Sequence, residues 1–175
     1  VFLDLDRFKA VNDTAGHAAG DALLRDIAQL MRHQLRNSDC LARLGGDEFG
    51  LILFDCRLEQ AKSLIQQVVN QISQHPFYWE GKIYRVGASA GITRIGGDAK
   101  SSELLAPADI ACYTAKHHGR GQVYLYEARQ KQLLERQHEL LSPQEVQTII
   151  SEGQLRLLTR AAAPPATPLS AAFHQ

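Results

Sequence analysis

Neither sign of charge dominates this sequence. Lys and Arg together number 19 and Asp and Glu together number 19, so the formal net charge is zero. Bulk charge therefore gives no reason to expect a nucleic-acid or membrane surface, and any phosphate binding has to be local. Long apolar runs are missing too. None approaches the roughly 18 residues of a membrane-spanning helix, and no secretory leader is visible. Cysteine is scarce: Cys40, Cys56 and Cys112 form an odd set without CxxC or zinc-ligand spacing. They are expected to be reduced, mostly buried thiols of a cytoplasmic protein. An opening methionine is also lacking. Val1 starts directly on the apolar stretch VFLDLD, which reads as the interior of a longer chain.

What is present suits one globular domain with an appendage. Of the 175 residues, 45% are hydrophobic and 22% charged, enough apolar material for a single core. VFLDL reads as a buried strand. After a stretch broken by Gly16 and Gly20, Leu23, Leu24, Ile27, Leu30, Met31 and Leu35 recur at helical spacing, predicting a helix from Asp21 to near Asn37. CLARL and EFGLILF flank a Gly-Gly-Asp turn and read as a β-hairpin. Leu64, Ile65, Val68, Val69 and Ile72 line a second helix stopped by Pro76. IYRVGASAGIT reads as one glycine-containing strand, and a third helix is expected from about Pro107 to Gly119. QVYLY closes the series.

The order β–α–β–β–α–β–α–β predicts an α/β (α+β) fold, a central, mostly antiparallel five-stranded sheet wrapped by helices. Residues 1–128 are expected to form this domain. Residues 129–160 read as a helical linker, broken at Ser142-Pro143, with a second short helix in PQEVQTIISEG. The Ala/Pro-rich residues 161–175 are expected to be disordered.

Three clusters carry chemistry. In LDLDRFKAVND, Asp4 and Asp6 lie two apart at a strand end and can project to one side. Such carboxylates suit a hard cation such as magnesium, or else simply cap the following turn. In Arg43-Leu44-Gly45-Gly46-Asp47-Glu48-Phe49, two glycines allow a sharp turn and close approach to a ligand. A plain hairpin turn would look similar, but carboxylates converging from two loops are what a metal-assisted phosphoryl-transfer site needs. In Lys116-His117-His118-Gly119-Arg120-Gly121, Lys and Arg at a helix end either complement the helix dipole or grip phosphate oxygens. His117 and His118 have no partners at ligand spacing and are expected to be solvated or packed.

LDLDRFKAVNDTAGHAAGD, RLGGDEF, ASAGIT and AKHHGRG occur in the order and spacing of GGDEF diguanylate cyclases, and from Val1 to about Tyr126 the chain resembles that family. The resemblance implies a core like those of adenylyl cyclases and polymerase palms. It also implies condensation of two GTP into cyclic di-GMP on magnesium, with manganese as an alternative, in a homodimer. Asp4, the backbone carbonyl of Leu5 and Asp47 match the metal-binding positions. Asp47 also matches the base that activates the ribose 3′-hydroxyl, Glu48 an essential acidic position, and Lys9 a phosphate-stabilising lysine. Phe8, Asn12 and Asp21 match the guanine pocket, and Lys116 and Arg120 the triphosphate-binding pair. Arg36 and Asp39 match an inhibitory RxxD site that clamps the product, with Arg43 in support.

The sequence departs from the family in lacking the preceding DxLTxLxNR segment and in carrying Gly121 where Asn is usual. LLSPQEVQTIISEGQLRLL resembles the opening of an EAL phosphodiesterase domain, yet the EAL motif and its metal ligands are absent. The alternative reading is therefore a catalytically silent GGDEF domain that binds GTP or cyclic di-GMP and regulates an adjacent EAL phosphodiesterase. Neither nucleic-acid binding nor membrane contact is expected of this chain.

Overall fold

The computed structural model describes residues 1–96 and 101–126. In chain order the elements are β1 (Phe2–Asp6), α1 (Phe8–Ala15), α2 (His17–Gln34), β2 (Cys40–Gly45), β3 (Glu48–Ile52), α3 (Leu58–Gln74), β4 (Phe77–Trp79), β5 (Lys82–Tyr84), β6 (Gly87–Ile92), α4 (Ser101–His117) and β7 (Val123–Leu125). Five strands form the central sheet in the order β2-β3-β1-β6-β7. Every neighbouring pair is antiparallel except β6 and β7. The expected mostly antiparallel five-stranded sheet is thus present.

Central position explains why β1 is buried along its whole length. Alternation then divides its side chains between two layers. Leu3 and Leu5 enter the main core with Phe8 and Val11 of α1, Leu23, Ile27 and Met31 of α2, and Ile65, Val68 and Ile72 of α3. Phe2 instead packs on Ala108 and Cys112 of α4. Asp4 and Asp6 share the side of Phe2, so α4 is the helix that covers the carboxylates.

Several boundaries differ from the sequence expectation. FKAVNDTA forms a helix of its own, and α2 starts at His17 instead of Asp21. Gly16, with φ of 83°, separates the two helices, whereas Gly20 lies inside α2. IYRVGASAGIT is two strands: β5 pairs with β4 in a separate two-stranded ribbon, and only β6 joins the central sheet. Pro107 sits inside α4, which begins at Ser101. Of the cysteines, only Cys112 is buried; Cys40 is exposed and Cys56 half-buried. No helix among the described residues is long and apolar enough to cross a membrane. The expected linker helices and tail lie outside the described residues.

Gly91 fixes how closely α4 approaches the sheet. A β-carbon there would stand 1.9 Å from the Ala108 carbonyl oxygen and 2.3 Å from the Cys112 nitrogen. Both are backbone atoms, so the helix itself would have to move. Gly91→Ala is expected to cost about 3 kcal/mol or more, at the severe end of overpacking. A urea midpoint within error of the unmutated protein would refute this close packing.

Candidate active site

Burying a carboxylate is costly unless it is paired and hydrogen-bonded. Asp4 is 8% exposed and Asp6 6%, and α4 with the loop after it supplies both partners. Lys116 Nζ lies 2.6 Å from Asp4 Oδ2. Arg120 Nε, in the loop after the helix, lies 3.7 Å from Asp6 Oδ1. Asp6 also accepts hydrogen bonds from Ser89 Oγ, 3.0 Å from each of its oxygens, and from the Gly121 N–H at 3.3 Å.

The hairpin brings the second set of acids. Asp4 and Glu48 are opposite one another in the β1–β3 ladder. Asp47 stands in the turn, and its carbonyl accepts from the Leu5 N–H at 3.2 Å. In a strand the N–H and C=O of one residue point to the same side. The Leu5 carbonyl therefore faces the hairpin beyond the last ladder pair. Among the described residues no three His, Cys, Asp or Glu side chains form a complete metal cage. Asp4, Asp47 and the Leu5 carbonyl would offer a sparse, all-oxygen set to a cation. That fits magnesium, which binds through one or two carboxylates and completes its shell with water and phosphate oxygens.

An opening lies between α2 and the hairpin. Asp21, Leu24 and Arg25 of α2 face Leu41, Arg43 and Phe49 of the hairpin across a cavity of about 390 Å³. Next to Asp21, a β-carbon on Gly20 would meet Asn12 Oδ1 at 1.9 Å and the Phe8 ring at 3.1 Å. The absence of a side chain at Gly20 lets α1 and α2 close on each other. Asn12 Oδ1 is buried without a hydrogen-bond partner. An unmade bond of this kind costs about 1–3 kcal/mol. Lys9 is exposed on the first turn of α1.

Residues 1–122 match the family described as "Diguanylate cyclase, GGDEF domain". The chain belongs to the GGDEF family. It is 50% identical over 169 residues to the probable diguanylate cyclase DgcE of Escherichia coli, covering 96% of this chain and 15% of that protein. It is 40% identical over 142 residues to the bifunctional diguanylate cyclase/cyclic di-GMP phosphodiesterase MucR of Pseudomonas aeruginosa, covering 81% of this chain and 21% of that protein. The chain thus spans only a small part of these relatives. The solved GGDEF domain of TpbB from P. aeruginosa superposes with a TM-score of 0.71 at 38% identity, covering 77% of this chain and 79% of that one. The GGDEF domain of DgcB from Caulobacter crescentus, solved with c-di-GMP, gives 0.68 at 25% identity, covering 73% and 76%.

Within this GGDEF domain the residues matched to product binding occupy two places. Arg36 and Asp39 lie between α2 and β2, beside a cavity of about 160 Å³ also lined by Phe54, Cys56 and Gln60. Asp39 is 5% exposed. Its carboxylate accepts from the Arg36 N–H at 3.0 Å and the Phe54 N–H at 3.2 Å. It therefore builds the loop instead of forming an exposed ion pair with the Arg36 side chain. Arg43 is not grouped with them. Its Nε donates to the Gly46 carbonyl at 2.9 Å, and it lines the Asp21 cavity.

Burial holds Asp4 above the ordinary carboxylate range. Lys116 opposes that shift, while the charges of Asp47 and Asp6 add to it. Burial works to lower Lys116, but the hydrogen bond and charge of Asp4 prevail and raise it. Burial first, and then the Asp4 charge, push the Cys112 thiol up to about 12. It remains a protonated thiol, donating to the Ser89 carbonyl at 3.2 Å, and does not act as a nucleophile at neutral pH.

No motif pointed to Ser89 or Arg25, and Asp6 was expected beside Asp4 as a cation carboxylate or a turn cap, whereas its oxygens are met by Ser89, Gly121 and Arg120. A lone Ser in an Ala/Gly strand carries no pattern; the register sets it opposite Asp4, and its hydroxyl reaches Asp6 diagonally across the ladder.

Lys116→Met tests the buried pair. The variant leaves Asp4 without its neutralising partner, and at neutral pH it is expected to lose about 1–2 kcal/mol. That is less than a fully buried pair loses, because Lys116 is partly solvated. Asp4 has a raised folded pKa, so its ionised form is the disfavoured one and protonation relieves it. The loss should shrink as pH falls through the Asp4 titration. Urea unfolding at neutral and acidic pH measures this, and a deficit that grows on acidification would contradict it.

Proposed function

We propose that this GGDEF domain condenses two GTP into cyclic di-GMP with release of two pyrophosphates. The observation that carries the reading is the gathering of Asp4, Asp47 and the Leu5 carbonyl at one sheet end, with Lys116 and Arg120 beside them. The similarity to named diguanylate cyclases supports it. In this reading Asp4, Leu5 and Asp47 hold magnesium, or manganese, which neutralises phosphate charge when bound. Asp47 accepts the proton of the ribose 3′-hydroxyl, and Glu48 maintains the acidic field beside it. That oxygen attacks the α-phosphorus of a second GTP as the bond to the bridging oxygen of pyrophosphate breaks. Lys9, Lys116 and Arg120 stabilise the charge on the leaving phosphates. Phe8, Asn12 and Asp21 form the guanine pocket. The carboxylate of Asp21 accepts from guanine N1–H and N2–H, which adenine lacks.

One domain holds one GTP, so two copies face each other across a two-fold axis to complete both bonds. In this reading the active form is a homodimer and works in the cytoplasm. Arg36 and Asp39 are assigned to product feedback, with Arg43 in support. Because Asp39 is committed to backbone N–H groups, Arg36 carries most of the contact with a guanine edge. The second reading, a silent GGDEF domain serving an EAL phosphodiesterase, draws on relatives named as cyclic di-GMP phosphodiesterases, such as PdeB of Shewanella oneidensis at 38% identity. The intact Asp4, Asp47 and Glu48 favour the cyclase.

Incubation with GTP and magnesium, with the products separated by chromatography, decides between them. Cyclic di-GMP and pyrophosphate should accumulate, and Asp47→Ala should abolish both while circular dichroism stays unchanged. Product formation by Asp47→Ala at the unmutated rate would remove Asp47 from the chemistry.

Asp21→Ala should weaken GTP binding by about ten- to hundredfold, the effect of losing one charged hydrogen-bonding partner. Competition with ATP reads the same change, and an undiminished preference for GTP would overturn the assignment.

Arg36→Ala should leave the initial rate nearly unchanged and relieve the slowing that added cyclic di-GMP produces. Equal slowing of both proteins would make Arg36 an ordinary surface residue.

A further inference from the structure

Asp6 is the least accessible carboxylate beside the site and has no part in the proposed chemistry. It is 6% exposed, and its oxygens are taken up by groups of the protein itself. It is the most heavily engaged acid described here. Ser89 Oγ donates to both its oxygens at 3.0 Å, the Gly121 N–H donates at 3.3 Å, and Arg120 Nε stands at 3.7 Å. Gly87 leaves it room, since a β-carbon there would come 3.1 Å from Asp6 Oδ2. The segment it holds is unusual in its backbone. Gly119, Arg120 and Gly121 have φ of 109°, 61° and 64°. A positive φ is uncommon for an L-residue such as Arg120, and the fold holds it with several restraints, among them the Arg120 N–H bonded to the Ala115 carbonyl at 3.1 Å. The Asp6 carboxylate supplies another, by gripping the N–H of Gly121 and the side chain of Arg120 together.

We propose that Asp6 is a positioning residue that holds the Gly119–Gly121 loop, and with it Arg120, in the conformation that receives the triphosphate. The proposal rests on the GTP-binding reading above. Asp6 acts through Arg120 and never touches the nucleotide. A carboxylate is required because it alone can accept from a hydroxyl and a backbone N–H while also neutralising a guanidinium. Asn offers a single acceptor oxygen and no charge. Asp4 and Asp6, although only two residues apart on one strand face, thus divide the work. Asp4 faces the metal and Lys116, and Asp6 sets the loop.

The test uses two ligands. One is a GTP analogue with a methylene bridge between the α and β phosphorus atoms, which cannot release pyrophosphate. The other is guanosine, which has no phosphates. Titration calorimetry with magnesium present measures both on the unmutated chain, Asp6→Asn and Ser89→Ala. For Asp6→Asn the analogue should bind about tenfold more weakly, the scale of one charge-assisted contact, while guanosine binds as before. Ser89→Ala, which keeps the carboxylate and removes one donor, should shift the analogue in the same direction by less. It also carries the test if Asp6→Asn fails to fold. Equal weakening of both ligands would mark Asp6 as a general scaffold residue and overturn the proposal. An undiminished or tighter grip on the analogue would overturn it as well, since Arg120 would then bind better unrestrained. If the unmutated chain holds the analogue no better than guanosine, the GTP-binding reading itself falls, and the positioning role falls with it.

Discussion

The burial of two acids on one side of the central strand sets the terms for this domain. Asp4 and Asp6 lie under α4, where water cannot solvate them fully, and their charge has to be met by the protein. Lys116 and Arg120 meet it from the end of that helix and the loop beyond. Those cations need α4 to lie close against the sheet, and Gly91 makes that approach possible. The left-handed turn at Gly119–Gly121 follows in the same way, because it carries the chain from the helix end back to β7 across Asp6. Helix position, loop conformation and strand order are one solution to a single electrostatic demand.

The same arrangement accounts for the division of labour around the site. On one side of β1, apolar side chains lock α1, α2 and α3 into the main core. On the other side, polarity is concentrated into a narrow strip along Asp4, Asp6 and Ser89. The opening beside Asp21 borders the main core through Leu24 and Phe49. It lies between α2 and the β2–β3 hairpin, whereas Lys116 and Arg120 come from the end of α4 and the loop after it. Relatives named as a cyclase, a phosphodiesterase and a bifunctional enzyme share this domain, and in each it accounts for only part of the chain.

Much of this was legible in the residues. The spacing of Asp4 and Asp6, the Gly-Gly-Asp turn and the ordered motifs pointed to one site, and the sheet was foreseen with its correct strand count and mostly antiparallel pairing. The failures have physical causes. FKAVNDTA is rich in residues that favour caps and turns, so its helix depends on packing Phe8 and Val11 and not on propensity. IYRVGASAGIT has one composition but two pairing partners, and strand pattern alone cannot say with whom a strand pairs. Pro107 suggested a helix start, but the helix begins earlier and accommodates it. The burial of Asp39 was hidden because its partners are backbone N–H groups, one of them on Phe54, fifteen residues away.

The bond between Gly121 and Asp6 spans 115 positions of the chain. Loop closure over such a distance is entropically late, so the last part of the domain to be synthesised is also the part that completes its polar strip. A nascent chain that has emerged only as far as β6 can collapse its apolar layer, but it presents two acids with no counter-ions. A chain that lost α4 would leave both acids without their counter-ions.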